Sequence, residues 1–124
     1  MKNHTHEFSF HGLLRSFKNA FRGFFLLLKY EYNLYIHLFF ALCVTIAGII
    51  FDISTVEWAI QTMAIGLVIF SELVNTAFEK TMDLVQPEYD KRVRDIKDLA
   101  AGTVLFTVGI AIAAASFIYL PKIF

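Results

Sequence analysis

Three long apolar runs constrain this chain more than any other feature of its sequence. They cover residues 34–51, 56–70 and 99–120, and the third run contains no charged residue. A helix needs about 20 consecutive apolar residues to cross the hydrocarbon core of a bilayer. The second run continues in helical register to about Val85, before Gln86-Pro87, because proline disfavours helix in the residue that precedes it. Residues 34–51, 56–85 and 99–120 are therefore predicted to be three membrane-spanning helices.

The composition supports a membrane environment for the whole chain. Of its 124 residues, 57% are hydrophobic and only 18% are charged. A soluble domain of this size must cover its exterior with polar groups, and this sequence has too few of them. We expect a single all-α membrane domain over residues 1–124, without nucleic-acid binding, because the formal net charge is zero and nucleic-acid binding needs a positive field.

The segment before the first span has a different pattern. The first residues, through about His11, are polar and are predicted to be a frayed tail. From about 10 to 30, apolar residues recur at helical spacing on one side of a helix, and polar residues occupy the other: Arg15, Asn19, Arg22 and Lys29. This pattern predicts an amphipathic helix on an anionic membrane surface. The alternative is a helix that packs its apolar stripe against a protein core.

The basic residues predict the orientation in the membrane. Five precede Glu31, and five more lie between Glu79 and Asp98, whereas the turn from Asp52 to Glu57 has none. Basic residues accumulate on the cytoplasmic side of membrane proteins. We therefore expect a multi-pass membrane protein with its N-terminus in the cytoplasm. Trp58 and Tyr119 are then expected to anchor helices at the outer interface.

A polar face lies at the cytoplasmic end of the second predicted span. Its members are separated by three, four and four positions and so share one side of a helix: Glu72, Asn75, Glu79 and Asp83. Carboxylates at membrane depth are costly, so they are by default functional or paired inside a bundle. Residues flanking the other two spans are expected at the same level: Glu31, Asn33, Lys97 and Asp98.

This set of side chains suits phosphoryl transfer. Mg²⁺ favours carboxylate oxygens and is usually shared with nucleotide phosphates, a lysine can bind phosphates as a point charge, and a carboxylate can accept the proton of an alcohol. The sequence has no P-loop and no kinase-type glycine-rich loop. A kinase built from these residues must differ from the soluble nucleotide-binding folds.

Two other classes of protein are consistent with an intramembrane carboxylate. A small oligomeric channel or ion-coupled carrier would use Glu72 as a cation or proton site. Such a path needs polar residues along the span, yet Trp58 to Phe70 offers only Gln61 and Thr62. A purely structural membrane protein would tolerate replacement of Glu72 and Lys97.

One family signature matches two separate parts of the chain. The signature reads E-x-V-N-[ST]-A-x-E-x-x-x-D and is followed fourteen residues later by K-D; the chain has Glu72-Leu-Val-Asn75-Thr-Ala-Phe-Glu79, then Asp83, then Lys97-Asp98. It resembles the prokaryotic diacylglycerol kinase and undecaprenol kinase family, and the order of one amphipathic helix and three spans agrees over essentially the whole chain. The resemblance implies an ATP-dependent lipid kinase that works by direct in-line transfer and assembles as a homotrimer.

The resemblance also implies a role for each matching residue. Glu72 is the general base, and Asn75 positions the base or the transferring phosphate. Mg²⁺ on the ATP phosphates is held by Glu31 and Glu79. Nucleotide binding involves these two residues together with Asp83, Lys97 and Asp98.

The lipid acceptor is predicted from the first span. The spacing Glu31-x-Asn33-x-x-x-His37 resembles the undecaprenol kinase branch, whereas the diacylglycerol kinase branch has an acidic residue in place of His37 and an arginine in place of Gly12. Asn33, His37 and Glu72 are therefore predicted to contact the lipid. Undecaprenol is the favoured acceptor, and diacylglycerol is the alternative.

Overall fold

A computed structural model describes residues 8–124, and residues 1–7, which hold most of the predicted polar tail, lie outside it. Within the described range the chain is all-helical. Its four helices follow in order: α1 (Phe10–Tyr30), α2 (Asn33–Ile50), α3 (Thr55–Val85) and α4 (Lys91–Ile123). Three of them, α2, α3 and α4, are long and apolar enough to cross a membrane. The all-helical prediction with three candidate spans is therefore confirmed.

The helices begin where side chains cap their free amides. Ser9 accepts a hydrogen bond from the Gly12 amide at 2.9 Å, and Ser54 and Glu57 form a reciprocal capping box at α3. Asp90 accepts from the Arg92 amide at 2.8 Å at the start of α4. Hydrogen bonds from Arg92 lower the pKa of the Asp90 carboxyl to about 2, so this cap stays ionised at neutral pH.

Because Asp90 caps its first turn, α4 begins before the predicted third span. The third span was predicted over residues 99–120, and the helix that contains it already begins at Lys91. It also ends later than the apolar run, at Ile123 rather than at residue 120. At about 1.5 Å per residue, the 33-residue α4 is about 50 Å long, well beyond a hydrocarbon core of about 30 Å. Its charged first turns therefore project past the apolar layer.

Helices α2, α3 and α4 alternate in direction, with α3 and α4 in the most extensive contact. A tight turn at Phe51 and Asp52 joins α2 to α3, and Asp52 adopts the left-handed conformation with φ of 49°. At this end, which we call the turn end, α2 approaches α3 where Gly48 faces Trp58. The opposite end, which we call the polar end, holds the start of α2, the last turns of α3 and the first turns of α4.

Few apolar side chains are buried within the described chain. Six hydrophobic residues form its core: Leu27, Leu34, Ile53, Val68, Ala100 and Ile118. Large apolar residues such as Phe106 and Phe117 are 70% and 83% exposed. A surface of this kind requires lipid or other protein chains around it.

Candidate active site

The side chain of Glu72 is the most deeply buried charged group of the described residues. It lies on α3 and is only 1% exposed. Its Oε1 is 2.8 Å from Nε2 of His37 on α2, a residue 35 positions away in sequence. A carboxylate can only accept hydrogen bonds, so the imidazole Nε2–H donates. The structure therefore brings together two of the residues that were predicted to contact the lipid.

A buried pair of hydroxyl groups adjoins Glu72 on the α4 side. Ser71 Oγ lies 2.8 Å from Thr107 Oγ1, and both residues are buried. This contact fixes α3 against α4 one residue before the buried carboxylate. This contact was not predicted; the available signal in the sequence was a hydroxyl residue directly before Glu72 and another in the uncharged third run.

Glu31 connects the α1–α2 junction to α3. Its Oε2 accepts a hydrogen bond from Thr76 Oγ1 at 3.2 Å, and its Oε1 accepts one from the Asn33 amide at 3.1 Å. Thr76 lies one helical turn beyond Glu72 on the same helix, so the Glu31 carboxylate is held beside the predicted polar face. Thr76 was not among the predicted site residues, although it is part of the sequence signature.

A second charged contact joins α3 to α4 at the polar end. Lys97 Nζ lies 2.5 Å from Asp83 Oδ1, and the Glu79 carboxylate adds a weaker attraction to the same ammonium group. Nearby, Lys80 Nζ lies 4.4 Å from the centre of the Tyr30 ring, a cation–π contact that joins α3 to the end of α1. Charged groups of α3 and α4 and an aromatic ring of α1 thus meet at one end of the bundle.

The remaining predicted site residues make few side-chain contacts within the described chain. Asn75 is half-buried and Glu79 is exposed, and neither side chain makes a hydrogen bond within residues 8–124. Asn33 contributes its backbone amide to Glu31. Asp98 lies apart from the Lys97–Asp83 pair: it is exposed, 3.9 Å from Arg94, and it borders a shallow depression on α4 together with Asp95 and Gly102.

No group of three or more His, Cys, Asp or Glu side chains in the described part of the chain is close enough to hold a metal ion. The available donors are carboxylates, and Glu31 retains lone pairs because each oxygen accepts only one hydrogen bond. Such oxygens match the preference of Mg²⁺, which usually takes one or two carboxylates and completes its shell with water and phosphate. The donor chemistry therefore fits a metal that arrives with a nucleotide.

An apolar groove of about 470 Å³ lies between α2, α3 and α4. His37 lines it towards the polar end, and Gln61 and Tyr119 line it towards the turn end. Between them the groove wall on α3 is formed by residues such as Ile65 and Val68. Val68 lies one helical turn before Glu72, so the groove ends next to the buried carboxylate.

Comparisons with known proteins identify relatives of this chain by sequence. The sequence model of the family described as prokaryotic diacylglycerol kinase matches residues 18–119. An undecaprenol kinase of Bacillus subtilis is 34% identical over 122 residues, which cover 98% of each chain. A diacylglycerol kinase of Synechocystis sp. is 31% identical over 112 residues, which cover 90% of this chain and 64% of the relative.

No solved structure shows a significant match to this chain. The family match nevertheless spans most of the sequence, including α2, α3 and nearly all of α4. The motif residues that first suggested the resemblance lie within that match, as do Glu31 and His37. The chain therefore belongs to the prokaryotic diacylglycerol kinase family and is, as a member of it, a lipid kinase.

Proposed function

We propose that this chain transfers the γ-phosphate of ATP to the hydroxyl group of a membrane lipid alcohol. One observation carries the proposal: the carboxylate of Glu72 is buried and contacts His37, which lines the apolar groove at its polar end. Its Oε2 has no hydrogen-bond partner within the described residues. A buried acceptor without a donor is costly, and a lipid hydroxyl is the donor that would satisfy it.

The transfer is a direct in-line displacement. As the lipid oxygen forms its bond to the γ-phosphorus, its proton moves to Oε2 of Glu72. The bond between the γ-phosphorus and the bridging oxygen of the β-phosphate breaks, and ADP leaves with that oxygen. Glu72 then releases the proton to water. Positioning and electrostatic stabilisation are the main requirements of such a reaction, and no covalent enzyme intermediate is needed.

The nucleotide binds at the polar end. Lys97, kept in place by Asp83, would offset charge on the β- and γ-phosphates, because an ammonium group binds phosphate as a point charge. Glu31 and Glu79 would hold Mg²⁺, which when bound neutralises phosphate charge. Asn75, whose amide is free within the described chain, would orient the transferring phosphate, and Asp98 would contact the nucleotide.

Undecaprenol is the favoured acceptor. The Bacillus subtilis relative, which matches over 98% of both chains, is described as an undecaprenol kinase. His37 and Asn33 of this chain also follow the pattern of that branch, and His37 lines the groove beside Glu72. Diacylglycerol is the second acceptor, in line with the name of the Synechocystis relative.

The protein would act as a single domain in the bacterial cytoplasmic membrane, with the polar end and the N-terminus facing the cytoplasm. The concentration of basic residues near that end supports this orientation. Helix α1 would lie on the membrane surface, since phenylalanines such as Phe17 and Phe21 are exposed along it. Assembly as a homotrimer would cover part of the exposed apolar surface of α3 and α4.

The test is a transfer assay with purified full-length protein, Mg²⁺ and γ-labelled ATP, in mixed micelles that contain equal amounts of undecaprenol and diacylglycerol. We expect label in the phosphorylated lipids, with undecaprenol phosphate in excess. More label in phosphatidic acid would reverse the choice of acceptor. Label in neither lipid would contradict the proposal and favour the channel or carrier alternative, which liposome flux measurements would then examine.

A further inference from the structure

The two oxygens of the Glu72 carboxylate have different surroundings. Oε1 accepts a hydrogen bond from His37 at 2.8 Å. Oε2 is buried and, among residues 8–124, has no partner. Buried polar atoms in folded proteins are nearly always hydrogen-bonded, so an unpaired oxygen marks a position where a donor belongs.

His37 contacts both this carboxylate and the groove. Its ring lines the groove towards the polar end, while its Nε2 contacts Glu72. The polar groups at the other end are already paired, because the Tyr119 hydroxyl lies 2.6 Å from Gln61 Oε1. A lipid alcohol in the groove would therefore find its hydrogen-bonding partners next to His37.

We infer that His37 is a positioning residue for Glu72, not a direct ligand of the lipid. Its hydrogen bond fixes the carboxylate by Oε1 and so keeps Oε2 free to accept the hydroxyl proton. This inference rests on the proposed function, in which Glu72 receives that proton while the lipid oxygen bonds to phosphorus and ADP departs. In this arrangement Oε1 holds the Glu72 side chain in place, and Oε2 accepts the proton.

The chemical nature of His37 matters for this task. A neutral imidazole can donate through Nε2, whereas an ionised carboxylate at the same position could only accept and would repel Glu72. A glutamine can replace the donor, because its side-chain amide nitrogen is at a similar distance from the backbone as Nε2 of histidine. An asparagine is one methylene shorter, and its amide would stop short of Oε1.

The experiment compares full-length His37→Gln, His37→Asn and His37→Leu with the unmodified protein in the labelled-ATP assay, with both ATP and lipid concentrations varied. We expect His37→Leu and His37→Asn to lose about 100-fold in kcat, since misplacing a reacting group by about 1 Å costs that much. The KM for ATP should not change, because His37 is remote from the Lys97–Asp83 pair. His37→Gln should recover kcat to within about tenfold of the original.

Two results would overturn the inference. One is a His37→Leu or His37→Asn protein with near-normal kcat; the other is a His37→Gln protein as impaired as His37→Asn. The glutamine and asparagine variants decide the question even if the leucine variant does not fold. These failures differ from failure of the proposed function, in which the unmodified protein itself would label no lipid.

Discussion

Lys97 on α4 and Asp83 on α3 form an ion pair across the connection between the two helices, with 2.5 Å between Nζ and Oδ1. The side chains are 34% and 56% exposed, respectively. Ion pairs that are this open to solvent contribute little to stability. The main effect of the pair is therefore to hold the Lys97 ammonium group at the polar end, where the nucleotide phosphates are proposed to bind.

Replacing Lys97 should chiefly impair the use of ATP. We expect Lys97→Ala to raise the KM for ATP about 10- to 100-fold, the cost of losing a hydrogen bond between charged groups, with little change in thermal unfolding. The matched control is Lys122→Ala, because Lys122 forms a similar ion pair with Glu57, at 2.6 Å, at the turn end. Initial rates over a range of ATP concentrations would measure both. An unchanged nucleotide dependence in Lys97→Ala would remove this residue from the site.

Neutralising Glu72 should slow catalysis by orders of magnitude without unfolding the protein. In Glu72→Gln the side-chain oxygen can still accept the hydrogen bond from His37, but the amide cannot take up the hydroxyl proton. We expect kcat to fall about 10²- to 10⁴-fold, the usual contribution of a general base. Single-turnover transfer of label to lipid is the measurement, and the elution volume in detergent reports the fold.

Glu57→Gln is the control for that experiment. Glu57 lies at the turn end, and a glutamine can keep its capping-box hydrogen bond to the Ser54 amide, now 3.0 Å long. Its turnover should remain near that of the original protein. Near-normal turnover of Glu72→Gln would mean that the base has been assigned to the wrong residue.

The sequence predicts the helices well because their length and hydropathy are local properties. It does not predict where α4 begins, since the Asp90 cap extends the helix through charged residues that a hydropathy argument leaves in a loop. Contacts between the site residues are even harder to predict from the sequence. Glu72 and His37 were both candidates, but their contact depends on the register between α2 and α3. That register is set by packing along both helices, so it cannot be predicted from residue spacing within either helix alone.

Tight packing at the turn end gives a prediction for stability. A Cβ atom added to Gly48 would lie 2.6 Å from Cη2 of Trp58 and 3.1 Å from Cδ1 of Ile53. We expect Gly48→Ala to lower the free energy of unfolding by up to about 2 kcal/mol, because overpacking costs about 1–3 kcal/mol and the gain in helix propensity returns about 1 kcal/mol. Unfolding by SDS in mixed micelles would measure it.

The control for Gly48 is Gly23→Ala on α1, where an added Cβ meets no atom within 4 Å. This variant should be as stable as the original protein or slightly more stable. If both variants unfold at the same SDS concentration as the original, the close approach of α2 and α3 at Gly48 is contradicted.

A polar network between the three long helices gives the last prediction. The Tyr119 hydroxyl points inward and lies 2.6 Å from Gln61 Oε1, while Gln61 Nε2 donates to the Val44 carbonyl at 3.0 Å. Tyr119→Phe should lower the free energy of unfolding by about 1–2 kcal/mol, because it leaves a buried amide oxygen unpaired.

A double-mutant cycle of Tyr119→Phe with Gln61→Leu should give a coupling energy of about 0.6 kcal/mol, typical of hydrogen bonds between membrane helices. Ser116→Ala, whose hydroxyl only bonds the Ile112 carbonyl of its own helix at 2.8 Å, should change nothing. Strictly additive effects of the Tyr119 and Gln61 substitutions would show that the two side chains do not interact in the membrane-bound protein.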